Sequence, residues 1–79
     1  MAKKVIVYLR SDCSLCEAVA MELEQMHTQF DFNVEYRDVD SHEIWRQKYD
    51  QLVPVICDER DHELCHFFLD PQKLAEYFS

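Results

Sequence analysis

Cys13 and Cys16 stand three residues apart, with Ser14 and Leu15 between them. They lie between a run of β-branched residues and an amphipathic segment. A dithiol at this spacing can cycle between two thiols and one intramolecular disulfide, and its nucleophilic form is the thiolate. Position sets how readily that anion forms. The first amides of a helix lack backbone partners and the macrodipole is positive there, so a sulfur at that point is favoured as an anion. The spacing also divides the labour. Cys13, at or just before the first turn, exposes its sulfur and attacks a partner disulfide. Cys16, about one turn further on, is more covered and displaces the partner by closing the ring. Arg10 adds positive charge near Cys13, while Asp12 and Glu17 oppose it.

The flanking elements are what give the pair its meaning, because a bare CxxC is a weak signal and one between strand and helix is a strong one. Val5-Ile6-Val7-Tyr8-Leu9 suits a strand buried on both faces. Leu15, Val19, Leu23, Met26 and Phe30 recur at helical steps and predict a helix from Ser14 to Gln29. Ser14 and Glu17 have the capping-box pattern at its start. Phe32, Val34 and Tyr36 alternate with polar residues, as in a half-buried edge strand. Asp40 and Glu43 form a second capping-box pattern, opening a short helix with Ile44, Trp45 and Tyr49. Leu52 to Cys57 reads as a strand with Pro54 near its start, and Glu63 to Leu69 returns as its hairpin partner. Asp70-Pro71 is an N-cap followed by proline at the first helical position, opening a last helix with Leu74, Tyr77 and Phe78. The order βαβ-α-ββα predicts an α/β fold: one four-stranded mixed sheet with helices on both faces. Glycine is absent from the chain, so other residues, Asp and Asn among them, must make every turn.

The chain has 79 residues, which makes residues 1–79 a single domain. A net charge of −8 argues against nucleic acid and against anionic lipid, and it steers weakly toward basic or neutral protein partners. No stretch approaches the ~20 apolar residues of a membrane span. The apolar run Val5–Leu9 is shorter than the roughly 7–15 residues of a signal-peptide core. A cytoplasmic protein is expected, and with it reduced thiols at Cys57 and Cys65, although a hairpin can bring such a pair within disulfide reach. The gap between Cys57 and Cys65 does not match the second pair of a zinc knuckle, so no metal site is expected. His27, His42, His62 and His66 are scattered and read as surface or turn residues, and Tyr8 and Phe67 are candidates to approach the cysteines, which the sequence does not decide.

The chain resembles the glutaredoxins, and more closely the small glutaredoxin-like proteins of bacteria. The resemblance is carried by Val5 to Leu9, the loop Arg10 to Cys16, Val53-Pro54-Val55, and Leu69-Asp70-Pro71. It implies a thioredoxin fold with a cis Val53–Pro54 bond beside the CxxC. It also implies that the backbone of Val53 pairs with a bound thiol substrate, and that Arg10 binds the carboxylate of glutathione. Two features depart from the glutaredoxin pattern and one from that of thioredoxin. Leu69-Asp70-Pro71 stands where glutaredoxins have a glycine pair that helps to hold glutathione. Ser14 and Leu15 replace their Pro-Tyr, and Asp12 replaces the thioredoxin Trp before the first cysteine.

These readings make the chain a thiol–disulfide oxidoreductase that reduces or exchanges protein or small-molecule disulfides. Its catalytic residues would be Cys13 and Cys16 and its substrate-binding residues Arg10, Val53 and Pro54. A monomer without a resident cofactor is expected, with glutathione a candidate co-substrate. Two alternatives stay open: a thioredoxin-fold binding module with vestigial cysteines, and a carrier of a metal or an iron–sulfur cluster.

Overall fold

A computed structural model describes residues 2–79. Strand β1 (Lys3–Leu9) is followed by helix α1 (Ser14–Met26), strand β2 (Phe32–Asp38) and a 3₁₀ turn (Val39–Ser41). Helix α2 (Glu43–Tyr49), strands β3 (Val55–Cys57) and β4 (Glu63–His66), and helix α3 (Pro71–Phe78) complete the chain. The sheet order is β2-β1-β3-β4. β1 runs parallel to β2 and antiparallel to β3, and β3 runs antiparallel to β4. This is the four-stranded mixed sheet expected from the element order, with β2 at one edge.

The central strand β1 explains why the sheet is covered on both faces. Successive side chains alternate, so Val5 and Val7 enter one apolar cluster and Ile6 and Tyr8 the other. The first cluster gathers Val19 and Leu23 of α1, Leu74 of α3, and Ile56 of β3. The second gathers Val39, Tyr49 of α2, and Val55 and Cys57 of β3. Each fully covered aliphatic or aromatic side chain contributes roughly 1.5–3 kcal/mol relative to exposure, so two small cores hold a chain of this length.

Four local expectations are corrected. Helix α1 stops at Met26 rather than Gln29, because the amides of His27, Thr28 and Gln29 bond to carbonyls three residues back and tighten into turns. Its N-cap is Cys13 rather than Ser14. Asp40 does not cap α2. It lies in the 3₁₀ turn that Asp38 caps through the Asp40 amide at 2.9 Å, and its carboxylate faces Arg10. The hairpin strands are shorter than expected. β3 starts only after Pro54, which has no N–H, and β4 ends at His66 because Phe67 adopts φ 64°. Asp12 (φ 55°) and Asp61 (φ 68°) also occupy the left-handed region, which Asp tolerates and which this glycine-free chain needs for its turns.

Candidate active site

Three segments converge at the C-terminal end of β1. The loop 10–13 leaves β1 there. In the antiparallel register Tyr8 pairs with Val55, so Pro54 continues alongside the end of β1. Val55 in turn pairs with His66, so β4 leaves the sheet next to Pro54, and the Phe67 amide donates to the Pro54 carbonyl at 2.9 Å. The Val53–Pro54 bond is cis, as the resemblance implies.

Cys13 caps α1 with its own sulfur. The Cys16 amide donates to Cys13 Sγ at 3.2 Å, and the Cys13 carbonyl accepts from Glu17 N at 3.0 Å. The cap arises because Asp12, in the left-handed region, turns the chain into the helix one residue earlier than Ser14 would. Cys13 and Cys16 are joined in a disulfide with their Cα atoms 5.2 Å apart. Cys13 is half-buried and Cys16 is buried, so the outer sulfur is the accessible one. This is the order of exposure expected from the spacing.

Arg10 lies beside the site with its charge already engaged. Its Nη2 donates to Asp40 Oδ1 at 2.9 Å and to Asp50 Oδ1 at 2.6 Å, and its Nη1 reaches the Asp50 carbonyl at 3.2 Å. Hydrogen bonding to Asp40 and Asp50 holds the guanidinium firmly in its charged form. Arg10 in turn holds the Asp40 carboxyl below the usual carboxylate range. Val53 is half-buried and Pro54 buried.

The remaining cysteines are placed differently. Cys57 enters the cluster with Tyr8 and Tyr49, whereas Cys65 pairs with Ile56 and packs against the opposite cluster. They therefore sit on opposite faces of the sheet, and both are free thiols. Burial pushes the Cys57 thiol up to about 12 and raises that of Cys65. Both shifts disfavour the nucleophilic thiolate. Among the described residues no group of three or more His, Cys, Asp and Glu side chains is placed to hold a metal ion.

Tyr8 does not join the site. Its ring lies in the second cluster and its hydroxyl bonds to Asp61 and Arg37. Phe67 does join it through its backbone, with Phe68 beside it, a residue to which sequence reasoning gave no role. The available signal was two adjacent aromatics at a strand end. β4 ends at His66, and beyond it both rings are exposed.

None of the curated proteins matches this chain. The solution structure of protein Ne2328 from Nitrosomonas europaea is 34% identical, with a TM-score of 0.90, covering 100% of this chain and 94% of that one. The X-ray structure of protein XcR50 from X. campestris is 25% identical, with a TM-score of 0.72, covering 92% of each chain. The family model described as Glutaredoxin-like domain (DUF836) matches residues 4–79, nearly the full length that carries the sheet, the cysteine cap and the cis proline. The chain belongs to this glutaredoxin-like family and has its thioredoxin-type fold.

Proposed function

We propose that the protein is a dithiol thiol–disulfide oxidoreductase. In its reduced form the Cys13 thiolate attacks one sulfur of a substrate disulfide. That S–S bond breaks, the first substrate sulfur leaves as a thiolate and takes up a proton, and a Cys13–substrate mixed disulfide remains. Cys16 then loses its proton and attacks Cys13 Sγ, which releases the second substrate sulfur and leaves the Cys13–Cys16 disulfide. Two electrons have passed from the dithiol to the substrate, and an external thiol reductant restores the pair.

One observation carries the reading: Cys13 Sγ accepts the Cys16 amide at the head of α1. A hydrogen bond to sulfur and the positive helix end both favour the anion over the thiol. The exposure difference between Cys13 and Cys16 supports the order of attack. Substrates would be protein or small-molecule disulfides, handled by a monomer in the cytoplasm. Glutathione is one thiol able to regenerate the pair, but its carboxylate would compete with Asp40 and Asp50 for Arg10.

The test is iodoacetamide alkylation of the reduced protein, read by mass spectrometry from pH 5 to 10. Cys13 is expected to react half-maximally well below about pH 8.5, the value of a free thiol. A midpoint at or above that value sinks the proposal.

A further inference from the structure

Phe67 and Phe68 stand beside the cysteine site and are not consumed by the core. Phe67 is 37% exposed and Phe68 69% exposed. A phenylalanine at φ 64° is a true outlier, because its Cβ crowds the backbone there, and such residues persist where the surroundings hold them. Here the hold is the Phe67 N–H bonded to the Pro54 carbonyl, followed by the Phe68 amide on the His66 carbonyl at 2.7 Å. A glycine would meet this backbone geometry without cost. What Phe67 adds over glycine is a ring, on a residue whose backbone is bonded to Pro54; the ring meets that of His66 edge-on at 4.8 Å.

The charge around the same end of the sheet is negative. Asp40 and Asp50 are paired with Arg10, and Asp40 also with Arg46, which leaves Asp12 and Asp38 as carboxylates without an ion pair at this end. The whole chain carries −8. An anionic small thiol such as glutathione meets repulsion here, whereas a cationic chain is attracted and steered.

We propose that Phe67 and Phe68 are specificity-determining residues, and that the substrate is a disulfide-bearing segment of another protein. Its reactive cysteine has an apolar neighbour, which packs on the two rings, and basic flanking residues, which face Asp12 and Asp38. This inference rests on the redox reading above and names the substrate class of that site. The electron and proton transfers are those already given: the substrate disulfide is reduced to two thiols and Cys13–Cys16 is oxidised.

The test mixes the fully reduced protein with four disulfides and follows formation of the Cys13–Cys16 disulfide. Two are peptides with one cysteine next to phenylalanine, flanked by lysines in one and by glutamates in the other, each capped as a mixed disulfide with 2-mercaptoethanol. The others are glutathione disulfide and the uncharged bis(2-hydroxyethyl) disulfide. The lysine peptide is expected to react at least about tenfold faster than the glutamate peptide and glutathione disulfide, with the gap closing as salt rises. Phe68→Ala and Phe67→Gly should each lower the ratio of lysine-peptide rate to hydroxyethyl-disulfide rate about tenfold, as loss of an apolar contact predicts. Phe68 is too exposed for its truncation to threaten the fold. If glutathione disulfide keeps pace with the lysine peptide, or the ratio ignores both variants, the specificity proposal is overturned while the redox reading stands. If even the uncharged disulfide fails to oxidise the pair, the redox reading falls and takes this inference with it.

Discussion

The buried phenol of Tyr8, on the central strand, donates to Asp61 Oδ1 at 2.7 Å, in the turn that closes the β3–β4 hairpin. Arg37 Nη1 donates to the same hydroxyl at 2.7 Å, so one phenol ties β1, β2 and the hairpin turn together. Tyr8→Phe keeps the ring in its cluster with Trp45 and Tyr49 and removes only these bonds. Its expected cost is about 1 kcal/mol, because water can reach the freed Arg37 and Asp61. Urea denaturation measures it, and a loss above about 3 kcal/mol would mean that the ring itself had moved.

Cys13 supplies the cap of α1, and this has a consequence for stability apart from reactivity. In the reduced protein Cys13→Ser retains a side chain able to accept the Cys16 amide, whereas Cys13→Ala does not. The alanine variant should be less stable than the serine variant by about 1 kcal/mol, the usual worth of an N-cap. Thermal melts of the two under reducing conditions decide it. Equal melting temperatures would show that the cap adds nothing.

Above neutral pH the second cluster should set the stability limit. Burial pushes both the Cys57 thiol and the Tyr49 phenol up to about 12. Both stay protonated in the fold at pH values where the unfolded chain loses those protons. The folded state then binds more protons, so stability holds below about pH 8.5 and falls as pH rises further. Denaturation midpoints from pH 7 to 11 should bend downward, and Cys57→Ala should make the bend shallower, with the raised Cys65 thiol still contributing. A flat curve to pH 11 would contradict the burial of both groups.

At low pH the surface pairs dominate. Lys4 and then Arg37 hold the Glu35 carboxyl below its ordinary value, and Arg10 does the same for Asp40. A depressed folded value gives stability that is present above about pH 4 and lost as pH falls through the folded value. Arg10→Gln removes the Asp40 share and leaves that of Glu35, so its acid limb should be shallower than the wild type's. Both sites are exposed, and salt should shrink the difference. Superimposable acid titrations of stability would show that the Arg10 pairs contribute nothing.

Much of this molecule could be read from local pattern. Val5 to Leu9 form the buried central strand, and their alternation already required cover on both faces. The Cys13–Cys16 spacing at a strand-to-helix junction, the edge strand at Phe32 to Tyr36 and the Asp70-Pro71 helix start follow from rules that span only a few residues. What tertiary structure decided were relations between distant residues. The aspartates that claim Arg10 lie about 30 and 40 residues further along the chain. The pairing of Cys65 with Ile56 puts Cys57 and Cys65 on opposite faces, although a hairpin can hold such a pair together. The bond from Phe67 to Pro54 brings an aromatic pair to the cysteine site. Periodicity records which face a residue turns toward a core, and it is a property of neighbours along the chain. Ion pairing, register and convergence depend on which segments meet in space, and no short window of sequence contains that.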